Sequence, residues 1–222
     1  MNALIVFVKA PAPGQVKTRL CPPLTPGQAA ALYLAFVQDT VATADKVSGA
    51  RVEIAYDACG AAADLGWLGP SAPSRFFLQQ GADLGRRLQH AFAKTFAGGA
   101  RKAVVIGSDI PDLEPAIVES AFGLLDVKDA VLGPAEDGGY YLVGLKRPNP
   151  SLFAGIHWST STVFSETLAR VEAGGLTLGL LARRADVDAA ADLEGLARRL
   201  STATASTCPA TRLALKGLEV KR

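Results

Sequence analysis

The sequence predicts an α/β fold built on a mainly parallel sheet. Strand-length and helix-length apolar patterns alternate along the chain. The first run, Leu4 to Val8, is continuously apolar, as a strand buried on both faces requires. Length and composition agree. The 222 residues suit one domain with a sizeable core, and 49% hydrophobic against 20% charged residues places the chain among globular proteins. Right-handed crossovers then put helices on both faces of the sheet.

The elements follow in order. The loop from Lys9 to Leu24 carries four prolines and one glycine. Thr25, Pro26 and Gln28 form a helix start with a capping box. Ala29, Leu32, Tyr33, Phe36, Val37 and Val41 then recur at helical spacing and define one apolar face. Val52 to Tyr56 reads as the second strand, Ala61 to Leu68 as a short helix, and Arg75 to Gln79 as the third strand. Asp83 caps a helix running to about Phe96, which Gly98-Gly99 ends. Ala103 to Ile106 is a strand leading into Gly107-Ser108-Asp109, and Pro115 to Leu125 is helical. Ala130 to Leu132 and Tyr140 to Val143 are strands on either side of a glycine-rich loop. Thr162 to Val171 is a helix, Leu176 to Leu181 a strand, and Leu193, Leu196, Ala197 and Leu200 mark a last core helix. One domain over 1–200 is expected. The segment 201–222 reads as a tail, disordered over Ser201 to Thr207, with a short helix at Thr211 to Leu218.

Other classes are excluded early. The formal charge of +2 argues against bulk binding to nucleic acid. No apolar run approaches the roughly 20 residues that span a bilayer. The first residues lack a basic stretch ahead of the apolar run, so they read as a strand and not as a signal peptide. Cys21, Cys59 and Cys208 form no CxxC pair, which fits a reducing cytoplasm.

In open α/β sheets, ligands bind outside the carboxyl ends of the strands. The first such loop, Lys9 to Leu20, holds the cations Lys9, Lys17 and Arg19, with Gly14 permitting close backbone approach. It reads either as a phosphate-binding loop or as a solvated basic loop stiffened by prolines. Walker A and GxGxxG sequences are absent, as are GxSxG and HExxH. Asp109 follows a strand directly and suits Mg²⁺ beside a phosphate, or a turn before Pro111. Asp186 and Asp188 share one face of an extended segment, where two carboxylates repel unless a cation lies between them. The alternative has Asp186 solvated and Asp188 capping the next helix. Asp137-Gly138-Gly139 is either a site for a substrate hydroxyl or a plain hairpin. His157 to Thr162 precedes a helix that its hydroxyls can cap, or at whose N-terminus they can bind an anion.

Taken together, Phe7 to Pro11, Pro13 to Leu20, Gly107 to Pro111, Gly133 to Leu142, Trp158-Ser159-Thr160, and Asp186-Val187-Asp188 with Asp192-Leu193 resemble the DUF2064 family. That family is also named the rSAM/selenodomain-associated transferase 1 group of candidate glycosyltransferases. The resemblance extends to about Leu200. It implies the GT-A, or nucleotide-diphospho-sugar transferase, fold, similar to the 2-phospho-lactate and molybdenum-cofactor guanylyltransferases. It implies that Lys17 and Arg19, with Lys9 and Gly14 nearby, contact the nucleotide's phosphates. Gly81, Asp83, Gly85 and Arg86 match a nucleotide-contacting helix start, joined by Ser108. Asp109, Asp186 and Asp188 match the residues that hold Mg²⁺ (or Mn²⁺), with Lys17, Arg19 and Asp109 catalytic. Asp137, Gly138, Gly139 and Tyr140, with Trp158, Ser159 and Thr160, fall on the acceptor side. Ala189 stands where the phospholactate enzymes usually have Thr, and Tyr140-Tyr141 also departs from their pattern, which leaves the acceptor open.

The implied activity is a cytoplasmic, metal-dependent transferase with a nucleoside triphosphate or nucleotide-sugar donor and a small-molecule acceptor. The cationic first loop favours nucleotidyl transfer, because a triphosphate brings more charge. The family's name favours sugar transfer. A non-catalytic nucleotide-binding module and a different α/β enzyme are the competing classes.

Overall fold

The computed structural model describes residues 1–58, 66–68 and 75–219. Seven strands form one sheet: β1 (Asn2–Lys9), β2 (Ala50–Asp57), β3 (Phe76–Leu78), β4 (Lys102–Ile106), β5 (Ala130–Pro134), β6 (Tyr140–Leu145) and β7 (Leu178–Leu180). Their order across the sheet is β3-β2-β1-β4-β6-β5-β7. β1 pairs in parallel with both β2 and β4, and Leu4, Ile5, Val6 and Val8 of its apolar run are buried. β6 runs antiparallel to both of its neighbours, because the loop at Asp137 closes a hairpin with β5. The sheet is therefore mainly parallel, as expected.

The pleat sorts alternate residues of β1 into two cores. Leu4, Val6 and Val8 pack with α1 (Pro26–Ala44), α3 (Pro115–Leu124) and α5 (Asp192–Thr202). Ile5 packs on the other face, with α2 (Leu84–Ala97) and α4 (Val163–Ala173). The helix starts follow sequence rules. Thr25 Oγ1 accepts from the Gln28 amide while Gln28 Oε1 accepts from the Thr25 amide, and Asp83 Oδ1 accepts from the Arg86 amide.

Three expectations change. The strand expected from Leu176 shortens to β7, because the Leu176 amide closes the end of α4 on the Val171 carbonyl. Of the short helix expected over 61–68, residues 61–65 lie outside the described residues, as does Cys59, and 66–68 form a single 3-10 turn. The segment expected as a partly disordered tail continues the fold. Ser201 and Thr202 finish α5, and α6 (Pro209–Glu219) packs on α1. The buried Asp39 carboxylate accepts from the amides of Ala210 (3.1 Å) and Thr211 (2.7 Å) at the start of α6. Cys208 is buried with Sγ on the Pro111 carbonyl, and burial pushes its thiol up to about 12. No helix among the described residues is long and apolar enough to cross a membrane.

Candidate functional site

Strand order reverses around β1, with β2 on one side and β4 on the other, and this creates a crevice at their carboxyl ends. The loop leaving β1 is pinned there by the buried side chains Val16 and Leu20. Between them Lys17 adopts a left-handed backbone (φ 48°) and turns its side chain inward. Its Nζ lies 2.5 Å from Asp109 Oδ1 and 2.6 Å from Asp188 Oδ1. The Lys17 side chain is only 5% exposed, against 46% for Asp109 and 35% for Asp188. Burial by itself lowers the affinity of this amine for its proton. The two carboxylates outweigh it, so the net shift is upward and Lys17 stays charged.

The Asp186–Asp188 segment is held by its middle residue. Val187 is fully buried and its amide donates to the Asp109 carbonyl (3.0 Å). Asp186 and Asp188 are thereby set on the opposite side. Asp188 does not cap α5. Its own amide and that of Ala189 donate to Asp192 Oδ2. Asp137 comes from the β5–β6 hairpin, where its Oδ1 accepts from the Gly139 amide (2.8 Å). Carboxylate oxygens of Asp137, Asp186 and Asp188 all lie within 4.8 Å of one another. Burial first, and then the charges of Asp137 and Asp188, push the Asp186 carboxyl up to about 6. A trio of oxygen donors whose mutual repulsion raises one member's pKa fits a hard divalent cation.

This shift has a sign that can be tested. Asp186 binds its proton more tightly folded (about 6) than its ordinary value of 3.8. Its contribution to stability is therefore fully present below about 3.8 and lost as pH rises through about 6. Metal-free protein should gain stability from this group on acidification from pH 7 to 5. Mn²⁺ should bind with proton release near pH 6 and weaken by up to about tenfold per unit below it. Calorimetric titration with Mn²⁺ at pH 7 and 5.5 checks this, and a pH-independent affinity would remove Asp186 from the metal set.

Two hollows meet at this corner. A cleft of about 610 Å³ runs from Lys9, Lys17 and Arg19 past Ser108 and Asp109 to Asp83 and Arg87, with Tyr140 and Ser159 also on its wall. A smaller hollow of about 380 Å³ lies against Asp137, Asp186 and α5. Asp188 and Arg19 line both.

Several residues expected at the site make structural contacts of their own. A Cβ on Gly85 would meet Trp158 Nε1 at 2.6 Å and the Phe153 carbonyl at 2.8 Å, so Gly85 and Trp158 pack against each other. Trp158 also meets the Tyr140 ring edge-on at 6.4 Å. Gly81 (φ 144°) makes the turn before α2, and Arg86 bonds Gln89 while its neighbour Arg87 faces the cleft. Gly138 (φ 92°) would place a Cβ 2.2 Å from the Ser161 carbonyl oxygen, and its own carbonyl accepts from Phe164 in α4. Gly139 is the donor to Asp137, and Thr160 bonds the His157 carbonyl. Gly14 (φ 76°) has open space around it.

Tyr33, Gln79 and Arg87 line the cleft but were not expected there. Tyr33 Oη accepts from the Lys9 amide (2.9 Å) and pairs with Ser108 Oγ (2.9 Å), tying the end of β1 to the loop after β4. Burial raises its pKa. Arg87 Nη1 donates to Asp57 Oδ2 (2.5 Å). A signal existed for Tyr33 and Arg87. A tyrosine on an otherwise apolar helix face needs a partner for its hydroxyl, and an aspartate at a strand's carboxyl end needs a cation.

Comparison with known proteins agrees with this fold. The model of a family described as "Uncharacterized protein conserved in bacteria (DUF2064)" matches residues 40–160. A candidate nucleotide-diphospho-sugar transferase from Desulfovibrio desulfuricans G20 is 38% identical over 96% of this chain and 95% of its own, with a TM-score of 0.86. CMP:2-keto-3-deoxy-manno-octonic acid synthetase, solved with CTP, is 14% identical over 90% of this chain and 99% of its own, with a TM-score of 0.58. The manganese complex of Rv0371c from Mycobacterium tuberculosis H37Rv is 16% identical over 91% and 100%, with a TM-score of 0.51. The last two share the fold. No curated protein matches the chain.

Proposed function

The chain belongs to the DUF2064 family and has the nucleotide-diphospho-sugar transferase fold, and from that premise we propose that it is a metal-dependent transferase with a nucleotide donor. The observation that carries this reading is the corner where Lys17 binds Asp109 and Asp188 beside the trio Asp137, Asp186 and Asp188, at the mouth of the 610 Å³ cleft. Asp186 and Asp188, with Asp137, would hold Mg²⁺ or Mn²⁺, and Asp109 stands in the same corner. A cation there supplies charge neutralisation for donor phosphates and for a departing phosphate group.

The residues of this chain do the rest. Lys9 and Arg19 are exposed on the cleft wall, where they offset phosphate charge. Lys17, fixed by two carboxylates, presents a positioned ammonium to the leaving group. Such catalysis is positioning plus electrostatics and needs no covalent nucleophile from the protein. In nucleotidyl transfer, an acceptor oxygen bonds to the α-phosphorus of a nucleoside triphosphate as the bond to the bridging oxygen breaks and pyrophosphate leaves. The cations of the first loop favour this version. Sugar transfer is the second reading, favoured by the 38% identity to the Desulfovibrio protein. There the acceptor bonds to C1 of the sugar and a nucleoside diphosphate leaves.

A thermal-shift screen of the four nucleoside triphosphates and the common UDP-, GDP- and dTDP-sugars, with and without Mg²⁺ or Mn²⁺, tests it. A donor at 100 times its dissociation constant adds about 2.7 kcal/mol, a shift of roughly 5 to 11 °C for this size. A metal-dependent shift with one triphosphate supports nucleotidyl transfer. A shift confined to a nucleotide sugar supports sugar transfer. No metal-dependent shift with any donor supports a non-catalytic binding module.

A further inference from the structure

The 380 Å³ hollow beside the carboxylate corner is the size of a small-molecule site. It shares Asp188 and Arg19 with the donor cleft, so the two hollows adjoin at the corner. Its charges divide into those that are satisfied and those that are not. Arg199 donates to both oxygens of Asp112 (2.6 and 3.2 Å). Asp192 accepts from the amides of Asp188 and Ala189. The next arginine on α5, Arg198, is exposed at the hollow, and its guanidinium has no carboxylate or carbonyl partner among the described residues. The same holds for Arg19. Once a cation offsets the Asp137, Asp186 and Asp188 charges, Glu136 is the exposed carboxylate that remains on the lining, Arg198 is the guanidinium open to an anion, and Arg19 is shared with the donor's phosphates.

A glycine also lines the hollow. Gly195 lies inside α5, where glycine is the weakest helix former except proline. Its backbone does not need glycine, because its φ is not positive. Its surroundings do not need it either, since the nearest atom to an added Cβ is Arg199 Nη1 at 3.7 Å, an ordinary contact. The residue therefore leaves unfilled space on the face that lines the hollow.

We infer that this hollow is the acceptor seat, that it takes a small molecule bearing a phosphate or carboxylate group, and that Arg198 and Arg19 grip that group above Gly195. The inference rests on the transferase reading for the word acceptor. An arginine fork suits both oxyanions bidentately, and the seat is strongest when the carboxylate trio is loaded.

The test uses the full chain loaded with Mg²⁺. Inorganic phosphate and malonate are titrated calorimetrically, with glycerol as the neutral control. Phosphate or malonate should bind and glycerol should not. Arg198→Ala should weaken the bound anion by about tenfold to a hundredfold, and Arg198→Glu should abolish its binding. Gly195→Ala should weaken binding while raising the melting temperature by about 2 to 4 °C, opposite signs that a merely structural glycine would not show. Gly195→Val should block the seat. Each variant should keep the thermal shift given by the donor. Anion binding unchanged in Arg198→Glu and Gly195→Val would overturn the inference, because the anion would then lie in the donor cleft near Lys9. Failure of both anions to bind the wild-type chain would overturn it too. If no donor shifts the wild type, the transferase reading fails. If the donor shift stands and the anion ignores Arg198, only the acceptor seat fails.

Discussion

Asp188→Asn should lower turnover by about a thousandfold while leaving the fold in place. Three functions converge on this carboxylate. Its Oδ1 bonds Lys17 Nζ, its oxygens complete the trio with Asp137 and Asp186, and its side chain lines both hollows. Asparagine preserves volume and keeps the backbone amide that donates to Asp192. It removes the charge that fixes Lys17 and that a divalent cation requires. Losing one preorganised electrostatic group typically costs 10² to 10³ in rate, and this residue serves two such groups. Stability should move little, because Lys17 retains Asp109 and the like-charge pressure on Asp186 is relieved. The measurement is kcat/KM with the donor that the screen identifies, alongside a melting curve. Turnover within tenfold of wild type would separate this corner from the chemistry. The neighbouring carboxylates refine the result. The trio geometry expects Asp137→Asn to weaken Mn²⁺ binding more than Asp109→Asn does. The reverse order would instead support the set implied by the resemblance, Asp109, Asp186 and Asp188.

What the sequence made legible follows from short-range rules. The capping box at Thr25 and Gln28, the Asp83 cap and the buried run of β1 are local, and their elements lie where expected. Asp186 and Asp188 were legible as a pair because extended backbone repeats every two residues. What stayed hidden depends on contacts distant in sequence. Asp137 joins the trio only because the β5–β6 hairpin folds beside the segment around Val187. Gly85 and Gly138 look like ligand-facing glycines until Trp158 and Ser161 arrive against them. Arg86 and Arg87 differ by one position on a helix, or about 100° of rotation, and only packing decides which faces the cleft. The docking of α6 depends on Asp39, which reads as an ordinary helix residue until its carboxylate meets amides 171 and 172 positions away.

Lys17→Met should separate three properties that a simple loss of charge would move together. Lys17 is the buried cation of the corner, and its ammonium neutralises Asp109 and Asp188. Methionine keeps the stem's packing and deletes the charge. Deleting one partner of a buried pair is costly when the other cannot reach water. Here the carboxylates are 46% and 35% exposed and can rehydrate, so the loss should be smaller, about 1 to 3 kcal/mol. That corresponds to a melting temperature lower by roughly 2 to 12 °C. Mn²⁺ binding in the absence of a nucleotide should tighten, because the ammonium no longer competes for Asp188. Turnover should fall by about a hundredfold to a thousandfold, since no positioned cation then meets the leaving group. Calorimetry with Mn²⁺ and steady-state kinetics on the same preparation read these effects independently. Weaker Mn²⁺ binding would mean that Lys17 organises the carboxylates for the metal and does not compete with it. Retained turnover would assign Lys17 to the stability of the first loop alone.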